Sequence, residues 1–279
     1  MADAPRPEAQ ANSTLPGFER ILPAQFRYQM TLLVRTPRAF IFGVVMPAAL
    51  LALEVGRRHP GTAALTAAVG GLVVFGTLSI AYLSYGAGLV TAREEGVLRR
   101  WRATPLPAWA YFTGRIAAAI VLADAAGLVL LGVGASMAGL HLTAGAIAGV
   151  LIAETLGGLA LAAAATAVTP LLPSAQGANS ILGLTYLPLL IFSGGFGSFS
   201  GQPHWLSTAM SYFPVQPVVD AASRALQHSG VISGRDGLVL AAWAVASLAL
   251  SVRYFRWDPT RPAHARHAGT ADHSTFVRK

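Results

Sequence analysis

The sequence contains no cysteine. Disulfides, thiolate metal sites and cysteine nucleophiles are therefore excluded. Its one lysine is Lys279, the last residue. A phosphate-cradling loop needs Gly-x-x-x-x-Gly-Lys-Ser/Thr after a strand, so the chain holds no such loop. Charge is scarce too. Asp, Glu, Lys and Arg make up 11% of the 279 residues, against about 25% in soluble domains. Hydrophobic residues reach 54%. Alanine, glycine, leucine and valine supply the excess, which suits closely packed membrane helices. His264-x-x-His267 and His273 lie in a polar tail and read as solvated residues, not as a metal site. No Ser/His/Asp set assembles.

What is present is six apolar stretches: Ala39–Gly56, Thr62–Val90, Arg115–Gly139, Ala144–Val168, Ala178–Phe192 and Gly237–Val252. A helical crossing of a bilayer needs roughly 20 apolar residues. The reading is an all-α integral membrane protein with six transmembrane helices. The fifth stretch is the short one and ends in Ser193-Gly194-Gly195. Residues 1–17 are proline, alanine and polar residues and read as a disordered tail without a cleavable signal peptide. Residues 257–279 read as a second disordered tail, which leaves 18–256 as the membrane domain.

The basic residues set the orientation. Cytoplasmic loops carry an excess of arginine and lysine. With both ends inside, 16 of the 20 basic residues fall on the cytoplasmic side. The four outside are Arg57, Arg58, Arg224 and Arg235. The net charge of +8 is thus an orientation signal. It does not point to nucleic acid, because the arginines flank apolar spans.

Three segments between the spans carry pattern. In 18–38, Phe18, Ile21, Leu22, Phe26, Met30, Leu33 and Val34 fall at helical spacing, with Arg20, Arg27, Gln29 and Arg35 between them. That predicts a helix in the membrane interface, parted from the first span by Pro37. A cytosolic helix packed on protein is the alternative. In 91–115, Glu94, Glu95, Arg99, Arg100 and Arg102 surround Val97, Leu98 and Trp101. Glu95 and Arg99 form an i,i+4 pair that supports a short helix, stopped by Pro105 and Pro107. Such a helix is a docking element for a soluble partner or a positive-inside anchor. In 193–236, an apolar cluster around Trp205 precedes another around Val218 and Val219. Two short amphipathic helices dipping into the outer interface are expected, capping a pathway.

Two acids, Asp124 and Glu154, fall near the middle of spans three and four. A mid-membrane carboxylate costs about 2.5–3.5 kcal/mol, so both are expected to face protein. At 1.5 Å per residue in an antiparallel hairpin they differ in depth by about 3 Å, and Arg115 lies about 13 Å from Asp124 along the helix. They serve either as packing hydrogen-bond partners or as a proton-sensitive or cation-attracting site. Tyr82 and Tyr85 in span two, with Asn179, Thr185 and Tyr186 in span five, are candidates for a pathway lining or for packing hydrogen bonds. Gly145-x-x-x-Gly149 is a possible close-approach motif.

Taken in order, these residues resemble the ABC-2 type permease family, the membrane subunits of ATP-binding-cassette exporters. Gln25-Phe26-Arg27-Tyr28 through Arg35-Thr36-Pro37-Arg38 carries the first part of the likeness. Arg93-Glu94-Glu95-Gly96-Val97-Leu98-Arg99-Arg100 through Ala103-Thr104-Pro105-Leu106 to Gly114-Arg115 is the most specific part. Ser193-Gly194-Gly195, Pro203-His204-Trp205-Leu206 and Phe213-Pro214-Val215-Gln216-Pro217 carry the third. The likeness covers about residues 18–252 and is closest to a drug-resistance branch of actinobacterial type. It implies a permease that dimerises and binds two copies of a separate ATPase. That ATPase would hold ATP and Mg; this chain would bind no cofactor and carry no catalytic residue. Glu94, Glu95, Leu98, Arg99, Arg100, Trp101 and Arg102 would form the coupling helix. Phe26, Arg27, Arg35 and Arg38 would belong to the interfacial connecting helix. Short extracytoplasmic re-entrant helices would follow span five, with Ser193, Gly194, Gly195 and Trp205 at an outer gate. Gly195 stands where the family commonly has a bulky residue. The implied function is export of an amphipathic small molecule, a drug or antibiotic, across a bacterial plasma membrane, with both termini cytoplasmic. Partners would be the ATPase, a second copy of the chain, membrane lipid and the substrate. A lipid or glycan exporter is the runner-up. An intramembrane enzyme would need more polar groups converging than Asp124 and Glu154, and a membrane scaffold would leave the charged 94–102 segment unused.

Overall fold

The computed structural model describes residues 18–58, 62–104, 107–172, 174–192, 204–227 and 233–254. Among them every regular element is helical. In order these are α1 (Phe18–Val34), α2 (Pro37–Phe40), a π-helical turn (Ile41–Val45) and α3 (Met46–Arg58). Next come α4 (Thr62–Thr77), a second π-helical segment (Leu78–Ser84), α5 (Tyr85–Glu94) and α6 (Val97–Arg102). The rest are α7 (Ala108–Ala138), α8 (Ala144–Val168), α9 (Ala175–Phe192), α10 (His204–Met210), α11 (Val215–Leu226) and α12 (Gly234–Tyr254).

Four rods are long and apolar enough to cross a membrane: Pro37–Gly56, Ala64–Glu94, Trp109–Met137 and Ala144–Leu171. They coincide with the first four apolar stretches. The fifth and sixth stretches also form single helices, α9 of 18 residues and α12 of 21. Both run 18 residues or more.

Helix ends follow local chemistry. Pro37 starts α2 as a first-turn proline, where its missing N–H is no loss. Thr143 caps α8 by accepting from the Ala146 N–H at 3.1 Å. Gly139 ends α7 in the left-handed region at φ 64°, a conformation that favours glycine.

The α4–α5 rod is the central post, buried along most of its length. The two π-helical segments face each other there. A Cβ on Gly76 would sit 2.7 Å from the Gly43 carbonyl oxygen, so these backbones meet in near contact. Inserted π turns are frequent at functional sites, and nothing in the apolar pattern of either span signals them.

Within the single chain, the possible Gly145-x-x-x-Gly149 motif makes no close approach at its first member. Gly145 is exposed and meets only Thr143. Close approach falls one helical segment later. A Cβ on Gly157 would meet Val218 Cγ2 at 2.4 Å, and one on Gly158 would meet Ile120 Cγ1 at 3.3 Å. In an alanine-rich helix the small-residue spacing does not say which pair a partner uses.

Between α9 and α12, α10 and α11 are two short helices. α11 inserts between α4 and α8. Val218 packs on Gly157 and Ser223 on Gly70. At its far end Gln227 donates to Thr66 Oγ1. Its apolar face of Val215, Val218, Val219, Ala222 and Leu226 is buried.

Candidate functional site

The charged segment after span two is built as a bent arm. α5 ends at Glu94, and Gly96 turns the chain at φ 71° before α6. An L-residue with a side chain pays about 1–2 kcal/mol to hold that conformation. The expected Glu95–Arg99 pair is therefore absent among the described residues: the turn at Gly96 puts Glu95 outside α6. Instead Arg100 donates to the Glu95 carbonyl oxygen at 3.1 Å.

The two faces of α6 differ. Leu98 is 0% exposed, and Trp101 stacks on Tyr111 of α7 with centroids 5.5 Å apart. Burying Leu98 contributes about 1.5–3 kcal/mol. These two residues anchor the arm to the bundle. Arg99, Arg100 and Arg102 point outward with Glu94 and Glu95, all exposed. Behind the arm, buried Arg93 donates from Nη1 to the Thr169 carbonyl at 3.0 Å and from Nη2 to the Leu172 carbonyl. Arg93 thereby ties the end of span two to the end of α8. The orphan carbonyls at a helix C-terminus need such a partner.

α1 lies across α7. Gln25, Gln29 and Leu33 face inward and are buried, while Tyr28, Leu32 and Val34 are exposed. Phe26 is half-buried, and Arg27, Arg35 and Arg38 are exposed. Arg38 donates to Asn179 Oδ1, which joins the first span to α9. The helix thus packs on protein along a polar face and still shows apolar side chains outward.

The pathway candidates mostly pair with one another across helices. Tyr82 and Thr185 hydroxyls are 2.8 Å apart, Ser79 and Tyr186 2.7 Å, and Tyr85 and Thr166 2.9 Å. The π-helical turn at 78–84 brings Ser79 and Tyr82 to face α9. Tyr85 is fully buried. These bonds fasten span two to α9 and α8.

Asp124 and Glu154 do come together. Thr155, next to Glu154, donates to Asp124 Oδ2 at 3.2 Å. Thr77 donates to Glu154 Oε1 at 2.8 Å. The Glu154 carboxyl rests on Gly127, one turn from Asp124, where a Cβ would fall 2.0 Å from Oε2. Asp124 Oδ1 and Glu154 Oε2 are buried without a hydrogen-bond partner. Glu154 is 0% exposed. Unpartnered buried carboxylate oxygens are costly.

A cavity of about 420 Å³ opens beside the Tyr82–Thr185 pair. Tyr82 and Thr185 line it, with Leu161, Ala164, Met210 and Phe213. Its wall is almost wholly apolar, and the Tyr82–Thr185 pair and Gln216 are its polar marks. Sequence reading singles out Tyr82 and Thr185. It misses Ala164 and Leu161, which read only as span four, and Met210 and Phe213, which read only as members of an outer apolar cluster. Trp205 is 69% exposed and takes no part in this wall. Ser193, Gly194 and Gly195 lie outside the described residues.

A bundle of apolar rods, with a charged arm anchored between two of them and an apolar cavity inside, defines a multi-pass membrane transporter subunit. Residues 54–253 match the family described as ABC-2 family transporter protein. The chain belongs to the ABC-2 transporter family. Permeases of this family are membrane subunits without an ATPase site of their own, and the family implies an ABC ATPase partner. The match leaves out α1 and the Gln25–Arg38 part of the likeness. No curated protein matches the chain.

Proposed function

We propose that this chain is the permease of an exporter that moves an amphipathic small molecule, a drug or antibiotic, out of a bacterial cell. Two copies of it would pair with two copies of a cytoplasmic ABC ATPase, which supplies ATP and Mg. Six spans with both ends inside the cell follow from the arginine distribution, with α9 and α12 as spans five and six. The observation that carries the reading is α6. A short helix held by Leu98 and Trp101, with Arg99, Arg100 and Arg102 outward, is shaped to transmit a push into α7 and α5. Closure of the ATPases would move this arm as a rigid lever and switch the membrane halves between two access states.

The test is co-expression with candidate ABC ATPases from the same genome. The complex is purified through a tag on this chain, and its ATP hydrolysis is measured. Arg99→Glu with Arg100→Glu is expected to cut co-purification at least about tenfold, because charge reversal at an interface makes like-charge contacts that cost a few kcal/mol. Trp101→Ala, which loosens the arm's seat and leaves its outer face intact, is expected to retain binding and lose stimulated hydrolysis. If the double reversal binds the ATPase as the parent does, α6 is not the docking element.

The cargo assignment rests on the cavity. A pocket of about 420 Å³ with apolar walls and one hydroxyl pair suits a small amphipathic molecule. It does not suit a sugar chain, which needs many polar partners. Asp124 and Glu154 are proposed to set a proton- or cation-sensitive step between α7 and α8. Asp124→Asn with Glu154→Gln is expected to lower transport severalfold and to flatten its pH profile. Unchanged transport in the pair of substitutions returns both acids to a packing role.

A further inference from the structure

A second cavity, of about 270 Å³, lies among α1, α5 and α7 on the side where α6 sits. Its wall is polar where the first is apolar. Gln29, Thr36, Arg38, Ser84, Thr91 and Arg115 all reach it. Glu95, exposed at the edge, is the acid on that wall.

Arg115 is its deep residue and is 5% exposed. A guanidinium stays charged and carries five N–H donors. Nη1 donates to Gln29 Oε1 at 3.0 Å and to the Tyr111 hydroxyl at 3.2 Å. Nη2 donates to the Tyr85 carbonyl at 3.4 Å. The Tyr85 and Tyr111 rings lie 5.4 and 6.0 Å from the guanidinium carbon. Nε is buried without a partner. Among the described residues no carboxylate forms an ion pair with Arg115. Every group that touches this buried cation is neutral.

A buried charge needs an opposite charge or a full set of hydrogen bonds. Arg115 has neither, and it borders a polar cavity with donors to spare. Guanidinium matches a phosphate in a two-pronged geometry. Arg38 stands at the exposed mouth with a second guanidinium. Tyr28 and Leu32, both exposed, flank the same cavity with apolar surface. Basic pockets between membrane helices hold anionic lipid head groups.

We propose that this cavity is a binding site for an anionic phosphate group, with Arg115 as its buried contact and Arg38 at its mouth. The phosphodiester of an anionic membrane lipid fits best. Its head would meet Arg115, and its chains would run along Tyr28 and Leu32. The bound lipid would clamp α1 to α5 and α7 directly behind the α6 arm.

The full-length chain is placed in phosphatidylcholine nanodiscs doped with phosphatidylglycerol, and retained lipid is counted by native mass spectrometry. One phosphatidylglycerol per chain is expected to stay bound in preference to phosphatidylcholine. Arg115→Gln is expected to lower that retention about tenfold. Arg38→Gln, on an exposed residue whose one inter-helix bond is to Asn179, is expected to lower it severalfold. Arg20→Gln, exposed on α1 and outside the cavity, is expected to leave it unchanged. Inorganic phosphate added to chain in pure phosphatidylcholine separates the sources. Thermal stabilisation that is lost in Arg38→Gln assigns the site to free phosphate, and no stabilisation assigns it to the lipid. The proposal is overturned if phosphatidylglycerol is held no better than phosphatidylcholine and phosphate gives no stabilisation. It is equally overturned if Arg38→Gln and Arg115→Gln bind as the parent does.

Discussion

Gly127→Ala is expected to destabilise the bundle by about 2–3 kcal/mol, and much of that loss should vanish in a chain that also carries Glu154→Ala. The Gly127 backbone is the floor on which the Glu154 carboxyl lies. A Cβ there would meet Oε2 at 2.0 Å and both Cδ and Oε1 at 2.6 Å. The carboxyl must move, and it has nowhere wet to go, since Glu154 is fully buried. Moving it breaks the bond from Thr77 and leaves a buried acceptor bare, which costs about 1–3 kcal/mol. Glu154→Ala alone leaves a void and loses the Thr77 partner. In the double substitution the methyl added at position 127 enters that void. Unfolding of the four chains in nanodiscs measures the coupling directly. Additive losses would mean that α7 and α8 shift apart as rigid bodies and that Gly127 is not a seat for the acid.

That pair shows how much of the site is legible in advance. The depth argument for Asp124 and Glu154 needs only a rise of 1.5 Å per residue and one short connection, and the two acids do end up on facing helices. What it cannot supply is rotation about each axis. Span three is apolar on all sides, so no hydrophobic stripe says which face turns inward. Gly127 and Thr77 therefore carry no signal as partners. The same limit hides Arg115. Its place at the end of a span reads as a positive-inside charge, and nothing local distinguishes an arginine in the interface from one sealed under α1. Gln25 and Gln29, one turn apart on the inward face of an amphipathic helix, are the available hint. At α6 the pattern shows a short helix with an apolar side, and the structure has one. Its start lies later than the Glu95–Arg99 spacing implies, because Gly96 is a turn and not a helical residue between them. A glycine between two acids and a basic run is a stop signal as much as a filler. Among the described residues four of the six apolar stretches are rods of full spanning length, while the π-helical turns at 41–45 and 78–84 lie where Gly43 approaches Gly76 and Ile80. Sequence periodicity does not report an inserted residue whose neighbours are all apolar.

Ala164→Phe is expected to abolish transport and leave the ATPase bound. This prediction rests on the export reading and on the apolar cavity as the cargo site. Ala164 is buried on α8 and faces the cavity beside Leu161. A phenyl ring at this position projects into open volume of about 420 Å³, not into a packed neighbour. The overpacking penalty of about 1–3 kcal/mol that follows a large side chain in a filled core is thereby reduced. The α6 arm sits at the end of α5 and is untouched, so co-purification with the ATPase should match the parent. Efflux of amphipathic dyes from cells should fall at least about tenfold, since a bulky group in an apolar pocket excludes ligands by the same contacts that would bind them. Met210→Ala works in the opposite direction. Met210 is buried on α10 against the same cavity, and its truncation widens the pocket. Larger dyes are expected to gain and the smallest to lose affinity by a factor of a few. Opposite shifts in the two chains tie cargo size to this wall. Equal efflux in parent, Ala164→Phe and Met210→Ala would move the cargo path out of this cavity, and the exposed apolar side chains Leu184 and Leu187 of α9 would be the next to substitute.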